Sequence, residues 1–348
     1  MTPGTPPSPD QADPGASRDA YLDNARLLVM TLVVIGHALE PMGARPPFRD
    51  IFIFIYSFHI PVFVFLSGHL SRDTLSRPDA LRLIARLLWP YVFFEIGLEY
   101  IDDLLVDMDA FTLSIFRPFW IMWYLPALLV WRLALPWLVR VPFILPVSVA
   151  AALAIGFARQ VGPEFTASRI VTLLPFFLLG HGTSREQLAR LTERPWRAAA
   201  VVVMIAGAFV AFHLPQFFPV EWFYGSRPYV RMMPHPDWTA PVTRMAVMLA
   251  AVAMGAAFFA LVPGRRLFFT EWGERTLAIY LLHGVVAKLI QATDFYAFAI
   301  PDFWRMAIMV TVSLLVVYGA SRRWVSAVFR PVLEPPNRWF HRRARKAG

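Results

Sequence analysis

The chain has 348 residues, of which 57% are hydrophobic and only 16% are charged, whereas soluble domains carry about 25% charged residues. Apolar runs recur from residue 24 to residue 320, which excludes a pair of soluble domains and indicates a polytopic membrane protein. The absence of cysteine excludes disulfides, thiolate metal sites and cysteine nucleophiles.

Residues 1–20 are rich in Pro, Gly, Ser and Asp, which predicts a disordered cytosolic tail. They do not resemble a signal peptide, because no basic region precedes an apolar core and no small-residue cleavage site follows one. We therefore expect the first apolar segment to remain in the mature protein as a membrane helix.

Ten apolar segments are long enough to cross a bilayer, which requires about 20 mostly apolar residues in a helix. The sequence predicts an all-α transmembrane helical bundle of about ten spans, without an evident internal repeat. Nine or eleven spans are the alternatives, because the fifth and sixth segments are short and the third ends in acidic residues. The segments are 22–42, 50–70, 80–101, 118–138, 142–159, 168–184, 196–217, 240–262, 274–293 and 303–323.

The distribution of basic residues orients the bundle, because cytosolic loops are enriched in Lys and Arg. With both termini cytosolic, the outer loops hold about half as many basic residues as the cytosolic segments, and the outer loop EYIDDLLVDMDAF is acidic. Residues 324–348 then form a basic cytosolic tail suited to anionic lipid headgroups. The net charge of +9 follows from this topology and requires no nucleic-acid partner.

Arg26 and His37 bracket the apolar part of the first span, DNARLLVMTLVVIGH. They lie eleven positions apart, which at about 100° per residue places both side chains on one helix face. The rise between them is about 16 Å, so they cannot touch. One long ligand lying along the helix would reach both.

Histidines recur inside other predicted spans. His59 lies about 13 Å below the outer face, and His283 lies about 15 Å deep on one stripe with Thr276 and Tyr280. Because His37 has a comparable depth, the three histidines suggest a shared cavity, since ionisable groups in spans usually face a bundle interior. The alternative is that His59 and His283 only hydrogen-bond neighbouring helices.

Three further charged residues within spans have two interpretations each. Glu95 and Glu99 lie four residues apart on one face of the third span, where they either line an acceptor site for sugar hydroxyls or belong to a solvated helix end. Arg132, inside the fourth span, either contacts a ligand or extends towards the cytosol.

These segments together resemble the acyltransferase-3 family of integral membrane acyltransferases, in the branch of fucose 4-O-acetylases. Arg26, ten residues and His37 match the family's first span, and FHIPVFVFLSGHL is similar to the family's second-span pattern FH-x-P-x-F-x-F-x-SG. Arg82 and Arg86 in RLIARLLWPY match a basic pair whose members are one residue closer in the family. WYLPALL, PFFLLGHG and TLAIYLLHG also resemble family segments.

The resemblance covers residues 21–323, which we interpret as the acyltransferase domain of a multi-pass cell-membrane protein. It implies an O-acyltransferase that moves an acyl group, expected to be acetyl, from cytosolic acyl-CoA to a hydroxyl of a carbohydrate or lipid-linked glycan. Acetyl-CoA is expected as a donor substrate, and no bound cofactor or metal is expected.

Site roles follow from this resemblance. The donor phosphates are expected at arginines, because guanidinium forks match phosphate geometry; the candidates are Arg26, Arg86, Arg82 and Arg132. His37 is the candidate general base, because imidazole accepts a proton readily at neutral pH.

The supporting roles around this base are left open by the sequence. His59 and His283 are the alternative bases. Either Tyr280 or His283 stabilises the oxyanion, and either Glu40 or Tyr280 orients the His37 ring.

Two other functions are compatible with a bundle of this kind. A secondary transporter also has buried charge and proline-broken helices, and a glycan or lipid flippase also fits an acidic outer loop above a basic inner face. The absence of an evident repeat and a histidine-centred interior count against transport.

Overall fold

The computed structural model describes residues 19–106, 114, 116–159, 166–233 and 235–336, and these residues form helices, turns and loops with no strand among them. The predicted all-α fold is confirmed. In these ranges the α-helices are α1 (Ala20–Leu39), α2 (Phe48–Tyr56), α3 (His59–His69), α4 (Arg77–Leu105), α5 (Tyr124–Leu138), α6 (Ile144–Ala154), α7 (Ala167–Gly182), α8 (Arg185–Leu191), α9 (Arg194–His213), α10 (Thr239–Leu261), α11 (Thr276–Gln291), α12 (Asp302–Ala320) and α13 (Arg323–Leu333).

Each of the ten predicted spans coincides with a helical segment. Within the described ranges, six segments are long and apolar enough to cross a membrane, and α6 and α7 belong to shorter apolar helices. The number of spans and the cytosolic location of both termini stay predictions. The six segments are Ala20–Met42, Phe48–His69, Trp120–Leu138, Arg194–His213, Thr239–Leu261 and Asp302–Ala320.

The second predicted span consists of two helices, because the backbone leaves helical geometry at Phe58 (φ −141°). Pro61 has no N–H to donate to the carbonyl of Ser57, which weakens the helix at this point. Nδ1 of His59 lies 2.8 Å from the carbonyl oxygen of Ile55 and donates to it at the break. At the break, the His59 ring thus supplies a hydrogen bond to a backbone carbonyl.

Two glycines allow α3 and α7 to cross in backbone contact. A Cβ atom at Gly68 would lie 1.9 Å from the carbonyl oxygen of Phe177, and one at Gly180 would lie 2.0 Å from that of Phe65. Small residues at such crossings let membrane helices approach closely. The crossing holds α3, which carries His59, against α7.

Buried arginines fix the loops at the end of the bundle opposite Arg26. Arg49, which is 3% exposed, donates to three backbone carbonyls of the 214–218 segment at 2.9–3.3 Å. Arg244 donates to the carbonyls of Ala152 and Arg227, and Arg305 binds carbonyls of the 295–298 segment. Each guanidinium thereby satisfies several carbonyls at once.

The two predicted tails are only partly described. Residues 1–18 and 337–348 lie outside the described residues, as does the acidic stretch 107–113. Ala20 already begins α1, and α13 occupies the start of the predicted basic tail. Helix α13 packs against α4, where Nε1 of Trp89 donates to the carbonyl of Pro331 at 2.9 Å.

Candidate active site

Three cavities lie in a row through the bundle, and we name them for the predicted orientation. The inner cavity has a volume of about 420 Å³, the central cavity about 70 Å³ and the outer cavity about 290 Å³. The inner wall includes Arg26, Phe63, Ser67, Tyr124, Arg132 and Tyr280. The central wall includes His37, Glu40, Tyr56, His59, Arg169 and Tyr280. The outer wall includes Glu40, Arg117, Trp120, Arg169, Tyr224 and Arg227.

Neighbouring cavities share side chains. Phe63, Tyr124 and Tyr280 belong to both the inner and the central wall. The central and outer walls share four residues, which are Glu40, Trp120, Arg169 and Tyr224. The three cavities are therefore neighbours, with these shared side chains between them.

Helix α1 contributes one of the pair Arg26 and His37 to each of the first two cavities. Arg26 lies in the wall of the inner cavity and His37 in that of the central cavity. Arg26 also forms an ion pair with Asp23 at 2.9 Å. The two residues thus lie in neighbouring cavities, and their contact with a single elongated ligand stays a prediction.

The ring of His37 is oriented by Glu40. Nδ1 of His37 lies 3.0 Å from Oε2 of Glu40, and Nε1 of Trp120 donates to the same oxygen at 2.9 Å. A carboxylate acceptor places the imidazole proton on Nδ1, so Nε2 retains its lone pair. Of the two candidates for orienting the ring, Glu40 is in contact with it, whereas the hydroxyl of Tyr280 donates to the carbonyl of Ile121.

The other two histidines lie close by but differ in position. His59 lies in the central wall, and its Nδ1 is satisfied by a backbone carbonyl. The ring of His283 lies 5.4 Å from that of His37, with Nδ1 on the carbonyl of Ile279 at 3.1 Å. Its Nε2 is buried without a hydrogen-bond partner among the described residues. The cavity predicted to be shared by three histidines contains two of them in its wall, His37 and His59, whereas His283 lines a separate small cavity.

The four predicted donor-binding arginines fall into two pairs. Arg26 and Arg132 lie in the inner wall, where Nε of Arg132 also donates to the hydroxyl of Ser71 at 3.2 Å. Arg82 and Arg86 are exposed on α4, and neither is in that wall.

Glu95 supports the segment that carries Trp120. Its side chain is fully buried, and Oε1 accepts the backbone N–H of Phe119 at 2.7 Å. Glu99 is half-buried one turn further along α4. Neither carboxylate is in the described walls of the three cavities, so acceptor binding by Glu95 and Glu99 stays a prediction.

Sequence reasoning missed four side chains of the site. Arg169, like Arg132, is a charged residue inside a predicted span, and this could have marked it as a candidate site residue. Tyr56, Trp120 and Tyr224 offered no such signal, because aromatic residues are common throughout the chain. Burial, reinforced by the carboxylate of Glu40, raises the pKa of Tyr224 above its usual range and keeps its hydroxyl protonated.

Comparisons with known proteins agree with the sequence motifs. A family profile described as an acyltransferase domain, that of the acyltransferase-3 family, matches residues 19–322. The nodulation protein NolL of Mesorhizobium japonicum is 24% identical over 378 aligned positions, which cover 92% of this chain and 92% of that protein. No solved structure matches the chain. The predicted resemblance to the acyltransferase-3 family is confirmed.

Proposed function

The chain belongs to the acyltransferase-3 family of membrane acyltransferases, and we propose that it moves an acetyl group from cytosolic acyl-CoA to a hydroxyl of a carbohydrate or lipid-linked glycan. The observation that carries this proposal is the row of cavities along α1, with arginines at one end and a carboxylate-oriented histidine in the middle.

The inner cavity supports donor binding. Arg26 and Arg132 supply guanidinium groups for the phosphates of acyl-CoA, and both stay charged at any relevant pH. The pantetheine arm then runs outward along α1, past Tyr124 and Tyr280, and brings the thioester to His37. The rise of about 16 Å between Arg26 and His37 sets the length that this arm has to cover.

The central cavity supports a general-base mechanism. Nε2 of His37 takes the proton of the acceptor hydroxyl while the oxygen attacks the thioester carbonyl. When the tetrahedral intermediate collapses, the C–S bond breaks and the proton passes from Nε2 to the sulfur of coenzyme A. The products are the O-acyl ester and free coenzyme A. Glu40 stabilises the imidazolium formed between these two proton transfers.

The hydrogen bonds of Tyr280 and His283 argue against either residue stabilising the oxyanion. The Tyr280 hydroxyl already donates to a backbone carbonyl, and His283 carries its proton on the nitrogen that faces one. Neither has a donor directed at an oxyanion in this arrangement. We therefore propose that they hold His37 and the wall of the central cavity in place.

The size of the central cavity supports a short acyl group. Its volume of about 70 Å³ is a small part of the roughly 420 Å³ of the inner cavity. Half of the residues in its wall are buried and the others are half-buried, so a long acyl chain would require several side chains to move.

Purified protein supplied with radiolabelled acetyl-CoA and candidate sugars tests the proposal. Label should move into the sugar, and the yield should fall when the donor is omitted or replaced by coenzyme A. If no sugar is labelled but unmodified sugar crosses vesicles containing the protein, the chain is a transporter and the proposal is wrong.

A further inference from the structure

The outer cavity carries an excess of positive charge that the proposed chemistry does not use. Three guanidinium groups and one carboxylate lie in its wall. The carboxylate is that of Glu40, which already accepts hydrogen bonds from His37 and Trp120. The arginines are Arg117, Arg169 and Arg227, and none of them forms an ion pair within the described part of the chain.

Arg169 is the most constrained of the three. It is half-buried in the first turn of α7, and its buried Nε has no hydrogen-bond partner among the described residues. Its guanidinium carbon lies 4.6 Å from the centre of the Trp123 ring, a contact that fixes the plane of the group without using its N–H donors. A buried N–H of a charged group without an acceptor is costly, and an anion bound in the cavity can supply that acceptor.

Other arginines at this end of the bundle have structural partners. Arg49, Arg244 and Arg305 are each 3% exposed and donate to backbone carbonyls of neighbouring loops. The arginines of the outer cavity have no such role. The first turn of α7 also contributes to the wall and adds the partial positive charge of a helix N-terminus.

We propose that the outer cavity binds an anionic group, a phosphate or a carboxylate, on the acceptor molecule. This inference rests on the proposed function and specifies its acceptor class. Because the outer and central walls share Glu40, Trp120 and Arg169, an anion held there places a neighbouring hydroxyl towards the central cavity, in whose wall His37 lies. The acceptor is thus a charged sugar, and its anionic group determines which hydroxyl is acylated.

Binding measurements on the full-length protein in detergent test this inference. Coenzyme A is titrated first and then kept saturating, so that the inner arginines are occupied. Inorganic pyrophosphate, glucuronate and glucose are next titrated by calorimetry at low salt. We expect at least one of the two anions to bind and glucose not to bind. A preference for pyrophosphate or for glucuronate identifies the phosphate or the carboxylate as the recognised group.

The variants provide the decisive comparison. Arg169→Gln should weaken anion binding at least tenfold, and Arg117→Gln and Arg227→Gln should weaken it less, because these two side chains are exposed and hydrated. Arg231→Gln is the matched control, since Arg231 is an exposed arginine of the same loop region outside the described wall of the cavity. It should leave anion binding unchanged.

Several outcomes would overturn the inference. These are absence of binding by both anions, equal effects of Arg169→Gln and Arg231→Gln, and loss of coenzyme A binding in Arg169→Gln. Failure of coenzyme A to bind the wild-type protein would instead contradict the proposed function. In the transfer assay, equal labelling of glucose and glucuronate would overturn the anionic acceptor while leaving acyl transfer intact.

Discussion

Nδ1 of His37 lies 3.0 Å from Oε2 of Glu40, three residues further along the chain. Helix α1 ends at Leu39, and Glu40 begins the 3-10 turn that follows. The proposed base and the carboxylate that orients it therefore come from one continuous segment. Trp120, which holds the same oxygen, comes from a segment 80 residues away.

Substitutions of His37 and Arg26, at the two ends of the proposed donor route, should change different kinetic constants. His37→Gln cannot take the proton, so kcat should fall by a factor of about 10² to 10⁴, or roughly 3 to 5 kcal/mol of barrier. Arg26→Ala should mainly raise the KM for acyl-CoA, because Arg26 is assigned to ground-state binding. Steady-state kinetics on purified, correctly inserted protein provide the measurement. Near-normal turnover of His37→Gln would direct the search for the base to His59 or His283.

Glu40→Gln tests the orientation of the ring. An amide cannot stabilise the imidazolium as a carboxylate does, and it can turn its NH₂ group towards Nδ1, which favours the wrong tautomer. We expect kcat to fall at least about tenfold while the KM for acyl-CoA stays unchanged. Trp120→Phe, which removes only the second donor to the carboxylate, should have a smaller effect. A raised donor KM with normal kcat in Glu40→Gln would contradict this assignment.

The structure predicts a positioning role for Glu95. Glu95→Ala leaves the backbone N–H of Phe119 without its acceptor, which should cost about 1–3 kcal/mol of stability. Glu95→Gln keeps an acceptor oxygen and should cost less. Thermal unfolding in detergent distinguishes the two variants. Unchanged stability together with a raised KM for the acceptor in Glu95→Gln would support the acceptor-binding role predicted from the sequence.

The crossing of α3 and α7 should tolerate no side chain. Gly180→Ala places a Cβ atom 2.0 Å from a backbone oxygen, so one helix has to shift, at a cost of about 1–3 kcal/mol or more. Gly182→Ala, two residues along the same helix, meets no atom within 4 Å and serves as the control. Melting temperatures of the two variants should differ clearly. Equal values would mean that the helices do not cross as closely as described.

The orientation of the bundle has a direct test. A reporter fused after Gly348 should be active only in the cytosol, because the loops on that side carry most of the basic residues. Reporter activity on the opposite side would exchange the inner and outer cavities and with them the proposed sources of donor and acceptor.

The features of the fold that depend on local sequence patterns could be predicted from the sequence. Apolar run lengths located the ten helical segments, and the helical period placed Arg26 and His37 on one face. Trp120 could not be assigned to the site, because its approach to Glu40 depends on the packing of distant helices. Arg169 could be noticed as a charge inside a predicted span, but its place beside Glu40 in the cavity wall depends on the same packing. Glu40 was a candidate without a deciding argument, since its position depends on where α1 ends.

The three aromatic residues that separate the inner and central cavities have a consequence for the membrane itself. Phe63, Tyr124 and Tyr280 belong to both walls, so they lie where the inner and central cavities would otherwise join. A cell that depends on an ion gradient cannot tolerate a continuous pore. If the donor follows the proposed route, the rings that let its thioester arm pass also have to close around it, and the rate of turnover is then tied to keeping the membrane insulated.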